Sequence, residues 1–131
     1  MLKKILLSAL CIFAAVSVFA APKIKIDQRS KEKVVETFLR AIANDDADAM
    51  WLIVDPELRE MAIKNDGGEK IAKKNFWIGF RQTVPHSENE KFRQLLNDPE
   101  AKAETIRQII QYNSRWFVYR SGKWYLNPMK Q

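Results

Sequence analysis

The side chains that could do chemistry are few. His86 is the one imidazole in the chain, and imidazole is the group best suited to move protons near neutral pH. It follows Pro85 and precedes Ser87, a setting that reads as a surface turn leading into a helix. Ser87 is its sequence neighbour, but adjacent side chains rarely reach the geometry of nucleophile and base, and the chain has no Gly-x-Ser-x-Gly elbow. No catalytic residue is therefore assigned. Asp45, Asp46 and Asp48 offer carboxylates of the kind calcium takes, yet the alternating ligands, central glycine and closing glutamate of a calcium loop are missing. One Cys, Cys11, and one His cannot make a zinc set. Gly67-Gly68-Glu69-Lys70 lacks the remaining positions of a phosphate-binding loop and reads as a helix-ending turn. Asp55, Glu57 and Glu60 are acids that one sequence cannot pair across space. No metal and no cofactor are expected.

The richer signal is aromatic. Arg115, Arg120 and Lys123 are interleaved with Trp116, Phe117, Tyr119, Trp124 and Tyr125, and rings beside cations can stack on unpaired bases or on sugars. Aromatic residues in strands more often fill a core. The charge is also modest: +6 over 131 residues, of which Lys3 and Lys4 contribute two. No nucleic-acid partner is expected. If the fold encloses a pocket, Phe38, Trp77, Phe80, Trp116 and Tyr119 are the candidates for its wall.

These residues must be positioned by recognisable elements. From Ser30 to Asn44, Val34, Val35, Phe38, Leu39 and Ile42 recur at helical spacing with charge on the other side. Asn44-Asp45-Asp46 ends that helix and caps a short one running to about Ile53. Asp55-Pro56 starts another, which Gly67-Gly68 closes. From Glu69 to Val84 the pattern is helical at first and then aromatic at Phe76-Trp77-Ile78-Gly79-Phe80, so helix and strand both remain open. Ser87 with Glu90 reads as a capping box for a helix carrying Phe92, Leu95 and Leu96. Asp98-Pro99 begins a last helix, although residues 105–112 also fit a strand face. Two aromatic and β-branched runs about Ser121-Gly122 predict a β-hairpin in which Tyr119 opposes Trp124 and Phe117 opposes Leu126.

Residues 1–20 have the layout of a secretory signal: Lys3 and Lys4, an apolar run from Ile5 to Phe19, and Val18-Phe19-Ala20 before Ala21-Pro22. Cleavage after Ala20 is expected, with a retained membrane anchor as the alternative. Cys11 leaves with the signal. The remaining 21–131 form one domain, a length sufficient for a core without cross-links. Lys23 to Ile26 reads as a solvated basic lead-in to the first helix.

The helix Val34-Val35-Glu36-Thr37-Phe38-Leu39-Arg40-Ala41-Ile42, the acidic turn Asn44-Asp45-Asp46, the segment Asp55-Pro56-Glu57-Leu58, and the terminal Trp116-Phe117-Val118-Tyr119 with Gly122-Lys123-Trp124-Tyr125-Leu126 together resemble the small secreted members of the nuclear transport factor two-like superfamily. The resemblance covers less than half of residues 21–131. It implies a curved sheet wrapped around helices into a cone, with a concave pocket for a small apolar molecule or a docking surface. The middle, Glu69 to Glu104, reads as helices where that superfamily has strands.

The sequence therefore predicts an α+β domain, helix-rich in its N-terminal two thirds and packed on a C-terminal antiparallel β-hairpin or small curved sheet. The expected function is a non-enzymatic binding module, periplasmic or secreted, with an aromatic-lined pocket or groove for a small apolar ligand. Stable membrane insertion is not expected once the signal is cleaved. The alternative is an inhibitor, immunity-like or envelope-complex protein that binds another envelope protein, and a small hydrolase or isomerase ranks last.

Overall fold

The computed structural model describes residues 22–130, so the expected signal peptide, residues 1–20, lies outside the described residues. The chain folds as a run of helices followed by a two-stranded antiparallel sheet, which is the helix-rich α+β arrangement with a hairpin.

The first helix, α1 (Lys31–Ala43), is central. Ser30 caps it by accepting from Lys33 N at 3.1 Å, and Val34, Val35, Leu39, Ala41 and Ile42 are each no more than 1% exposed. A helix buried over so much of its circumference needs neighbours on several sides. It receives α2 (Ala47–Ile53), α5 (Asn89–Leu96), α6 (Pro99–Tyr112) and the hairpin.

The short link between α1 and α2 explains the acidic group. Asp45 takes φ 52°, a left-handed value that Asp tolerates better than most residues. Asp46 is buried, and its carboxylate accepts from Ala49 N at 3.1 Å, capping α2, and from Ile24 N at 3.0 Å. The basic lead-in is thereby fastened, with Ile24 and Ile26 packed on the core rather than fully solvated. Asp48 pairs with Lys73. Each carboxylate thus has a structural task, and among the described residues no group of three His, Cys, Asp or Glu side chains could hold a metal ion.

Asp55 caps α3 (Pro56–Asp66), with Pro56 in the first turn where its missing donor costs nothing, and Gly67 ends the helix at φ 83°. Glu69 to Thr83 is one helix, α4, which resolves the ambiguity of that segment; residues 105–112 likewise belong to helix α6. Alternation over a few residues could not outweigh the cap, Asp98, and the long stretch of helix-compatible residues behind it. The expected capping box at Ser87 does not form: His86–Glu88 is a 3₁₀ turn closed by Glu88 N donating to Pro85 O at 3.0 Å, and α5 begins at Asn89. The Pro85 carbonyl closes the turn that takes up Ser87, and no side-chain hydrogen bond caps α5.

The hairpin has the expected register, Phe117↔Leu126 and Tyr119↔Trp124, between β1 (Phe117–Arg120) and β2 (Lys123–Leu126). Ser121 and Gly122 take φ 51° and 80°, as a two-residue turn matching the strand twist requires. β1 starts later than the aromatic run because Ser114–Trp116 is a 3₁₀ turn. The outer edge of β2 is covered: Trp124 N donates to Gln28 O at 2.9 Å, Asp55 N to Leu126 O at 2.9 Å, and Val54 forms an isolated parallel bridge with Leu126. The sheet remains two-stranded among the described residues.

Candidate functional site

An apolar groove of about 640 Å³ lies between α1, α2, α4 and the residues flanking the hairpin. Phe38 comes from α1, Met50 and Ile53 from α2, Phe76 and Phe80 from α4, and Trp116, Leu126 and Met129 from the C-terminal segment. The wall is apolar apart from the side chains of Asn75 and Thr83. Phe38 and Phe80 meet edge to face with ring centroids 5.9 Å apart, a favoured aromatic geometry that fixes both rings.

Of the residues expected in a pocket wall, Phe38, Phe80 and Trp116 line this groove together. Trp77 does not line it. Its ring stacks on Phe80 at 5.7 Å and on the Arg81 guanidinium at 4.9 Å, so it backs the wall from behind. Tyr119 lies elsewhere: it is 59% exposed on the hairpin and tilts against Trp124 at 5.1 Å. The alternation that puts Tyr119 and Phe117 on one face holds, but the groove meets the hairpin at Leu126 and Trp116 rather than at the turn end.

Residues missed by sequence reasoning are Met50, Ile53, Phe76, Gly79, Val84, Leu126 and Met129. Phe76, Gly79, Phe80 and Thr83 follow helical spacing, a signal readable only once that segment is taken as a helix. Gly79 is informative. It sits inside a 15-residue helix, where glycine costs about 0.5–1 kcal/mol relative to alanine. A Cβ there would meet nothing within 4 Å. Among the described residues no contact demands a glycine, and its effect is to leave bare, exposed backbone in the groove lining.

The polar groups near the groove are committed to holding helices. Arg81, 7% exposed, donates from Nη2 to Ile42 O at 2.9 Å and to Asp45 at 3.2 Å, and from Nη1 to Val84 O at 3.2 Å. With Arg93 Nε donating to Ala43 O at 3.2 Å, it satisfies carbonyls at the C-terminal end of α1 that the helix itself cannot. Arg81 Nε is buried without a partner. His86 stands at the edge of this cluster, with Nδ1 3.4 Å from Asp45 Oδ1 and its side chain 61% exposed. Among the described residues no hydroxyl hydrogen-bonds to it, and its partner is the Asp45 carboxylate that Arg81 also holds.

A buried charge network fixes the hairpin. Asp55 is 0% exposed. Arg120 Nε donates to its Oδ1 at 2.7 Å, Arg120 Nη2 and Asn127 Nδ2 donate to Oδ2 at 3.3 and 2.9 Å, and Glu57 N donates to Oδ1 at 3.3 Å. Burial pushes the Asp55 carboxyl up, but the hydrogen bonds from Arg120 and Asn127 outweigh it and hold the group below its ordinary value. Arg120 also reaches Glu57 at 2.7 Å. One acid thus caps α3 and ties β1 and the segment after β2 to it. Among the described residues no helix is long and apolar enough to cross a membrane. Comparison of the chain with protein-family models, with curated proteins and with solved structures found no match in any of the three.

Proposed function

We propose that the protein is a non-enzymatic binding module that takes a small apolar ligand in the groove between α1, α2 and α4. The observation that carries this reading is the wall itself: about 640 Å³ bounded by Phe38, Met50, Phe76, Phe80, Trp116 and Met129, with the exposed backbone of Gly79 among its lining. An apolar concavity with few polar groups is the usual form of a small-molecule site. Filling it would remove aromatic and aliphatic surface from water, worth roughly 25 cal/mol per Å² of apolar area.

The test uses N-phenyl-1-naphthylamine, an apolar dye that brightens when it leaves water. Saturable brightening, with quenching of tryptophan emission, is the expected result. Gly79→Ala should keep the groove and bind the dye. Gly79→Phe should fill it and weaken binding by at least about tenfold, equivalent to about 1.4 kcal/mol. Absence of saturable brightening in the unmodified protein, or equal binding by Gly79→Phe, sinks the reading.

A second reading, docking of another envelope protein, is supported by Met61, Ile71 and Ile78, which are each about half exposed along α3 and α4. Cross-linking in an envelope extract that survives Gly79→Phe but is lost in Ile71→Asp/Ile78→Asp would favour it.

A further inference from the structure

A second cavity, of about 710 Å³, opens where the lead-in segment runs past α2, α3 and the hairpin turn, and its wall carries Lys25, Asp27, Arg29, Arg59, Lys123 and Tyr125. The segment is held in place there by Trp124 N donating to Gln28 O and Gln28 Nε2 donating to Trp124 O, both at 2.9 Å. Among the described residues Asp27 is the one carboxylate in that wall, and Arg29 has taken it. Arg29 Nε and Nη2 donate to its two oxygens at 3.0 and 2.8 Å, and the Arg29 amide donates at 3.2 Å. Those hydrogen bonds lower the Asp27 carboxyl to about 2, so it is fully ionised at neutral pH and fully engaged.

Lys25, Arg59 and Lys123 are left on the same wall with no carboxylate at ion-pair distance among the described residues. Arg59 is half-buried, and its Nε donates to Val54 O at 3.1 Å. That bond orients the guanidinium while its two terminal nitrogens have no acceptor among the described residues. Like charges along one concave wall sum to a local positive potential that draws a counter-charge. An oriented guanidinium presents a fork suited to two oxygens of one oxyanion, while the lysines act as point charges beside it. Three uncompensated cations exceed what a single carboxylate can neutralise, whereas a phosphate monoester carries about −1.5 to −2 at neutral pH. The cavity is also larger than an inorganic ion, and Leu52 and Tyr125 give it an apolar side.

We infer that this cavity binds a phosphate monoester, with Arg59 as its two-point anchor, Lys25 and Lys123 as flanking charges, and Tyr125 against the organic group. This site stands apart from the apolar groove and does not depend on the reading given to it.

The test is calorimetric titration of the protein at low salt with phenyl phosphate, with benzoate as the singly charged comparison. A parallel arm pellets the protein with phosphatidylcholine vesicles, with and without phosphatidic acid. Phenyl phosphate should bind saturably, at least about tenfold tighter than benzoate, and raise the melting temperature by linkage. Arg59→Gln should weaken it by at least about tenfold. The double variant Lys25→Gln/Lys123→Gln alters only exposed side chains, keeps the fold, and should lose both the tight binding and its salt dependence. Binding of phenyl phosphate without pelleting assigns a soluble ester. Pelleting that needs phosphatidic acid and is lost in Arg59→Gln assigns a lipid head group. No saturable binding in either arm, equal affinity for benzoate, or undiminished binding by the double variant overturns the inference.

Discussion

Asp55 shows how much one side chain can decide. A carboxylate with 0% exposure is tolerated only because Arg120, Asn127 and the Glu57 amide supply hydrogen bonds to both oxygens. Asp55→Ala would leave the buried Asn127 amide without its acceptor while Arg120, partly exposed, keeps Glu57, and a loss of about 1–3 kcal/mol is expected in urea denaturation. The pH dependence has a definite sign. The folded Asp55 has its pKa lowered, so the stability it contributes is complete above the unfolded-state value of about 3.9 and is lost as pH falls through the folded value. Asp27, lowered to about 2 by its bonds from Arg29, acts in the same direction between about 4 and about 2. Melting temperature should therefore decline progressively as pH is taken below about 4, with a shallower decline in Asp55→Asn. An unchanged acid limb in that variant would remove Asp55 from the account.

Two glycines differ in what their elements demand of them. Gly122, at φ 80°, sits in the hairpin turn, where an L side chain is strained. Gly122→Ala should cost about 1–2 kcal/mol, read from the denaturation midpoint. Gly79 lies in the interior of α4 with open space where a Cβ would stand, so Gly79→Ala should stabilise by about 0.5–1 kcal/mol. A loss of stability at Gly79 would mean that neighbouring atoms crowd the helix backbone there. Most elements are legible in the sequence, since caps and prolines act locally: Ser30, Asp46, Asp55 and Asp98 each start a helix as expected. The failures also have local causes. Ser87 is taken up in a 3₁₀ turn that the Pro85 carbonyl closes, and the aromatic run of α4 looks equally like a strand because Phe, Trp and Ile favour pleated surfaces.

At the scale of the molecule, the helices and the hairpin share one interior. The cluster around Val34, Ile42, Met50 and Ile53 and the cluster around Val35, Leu39 and Ile106 are joined through Phe38, Phe92 and Phe117, which pack on both. Unfolding should accordingly be a single transition by calorimetry, with an enthalpy of about 75 kcal/mol near 60 °C at about 0.7 kcal/mol per residue. Two resolved transitions would show that the clusters are independent. The α+β class, the central helix, the starts of α1, α2, α3 and α6 and the hairpin register are legible in the chain, because each follows from periodicity, capping or turn chemistry within about fifteen residues. Which aromatic residues face one another is settled by packing across the fold. Phe38, Phe80 and Trp116 come from segments more than thirty residues apart and converge on the groove because α1 takes α2 and the hairpin on its faces while α4 lies against α2. Trp77 and Tyr119, alike in type and pattern, are turned to the back of the wall and to the hairpin surface. The convergence of Lys25, Arg59 and Lys123 is of the same kind: spacing in a chain carries no information about distance across a fold until packing of the apolar faces has fixed it.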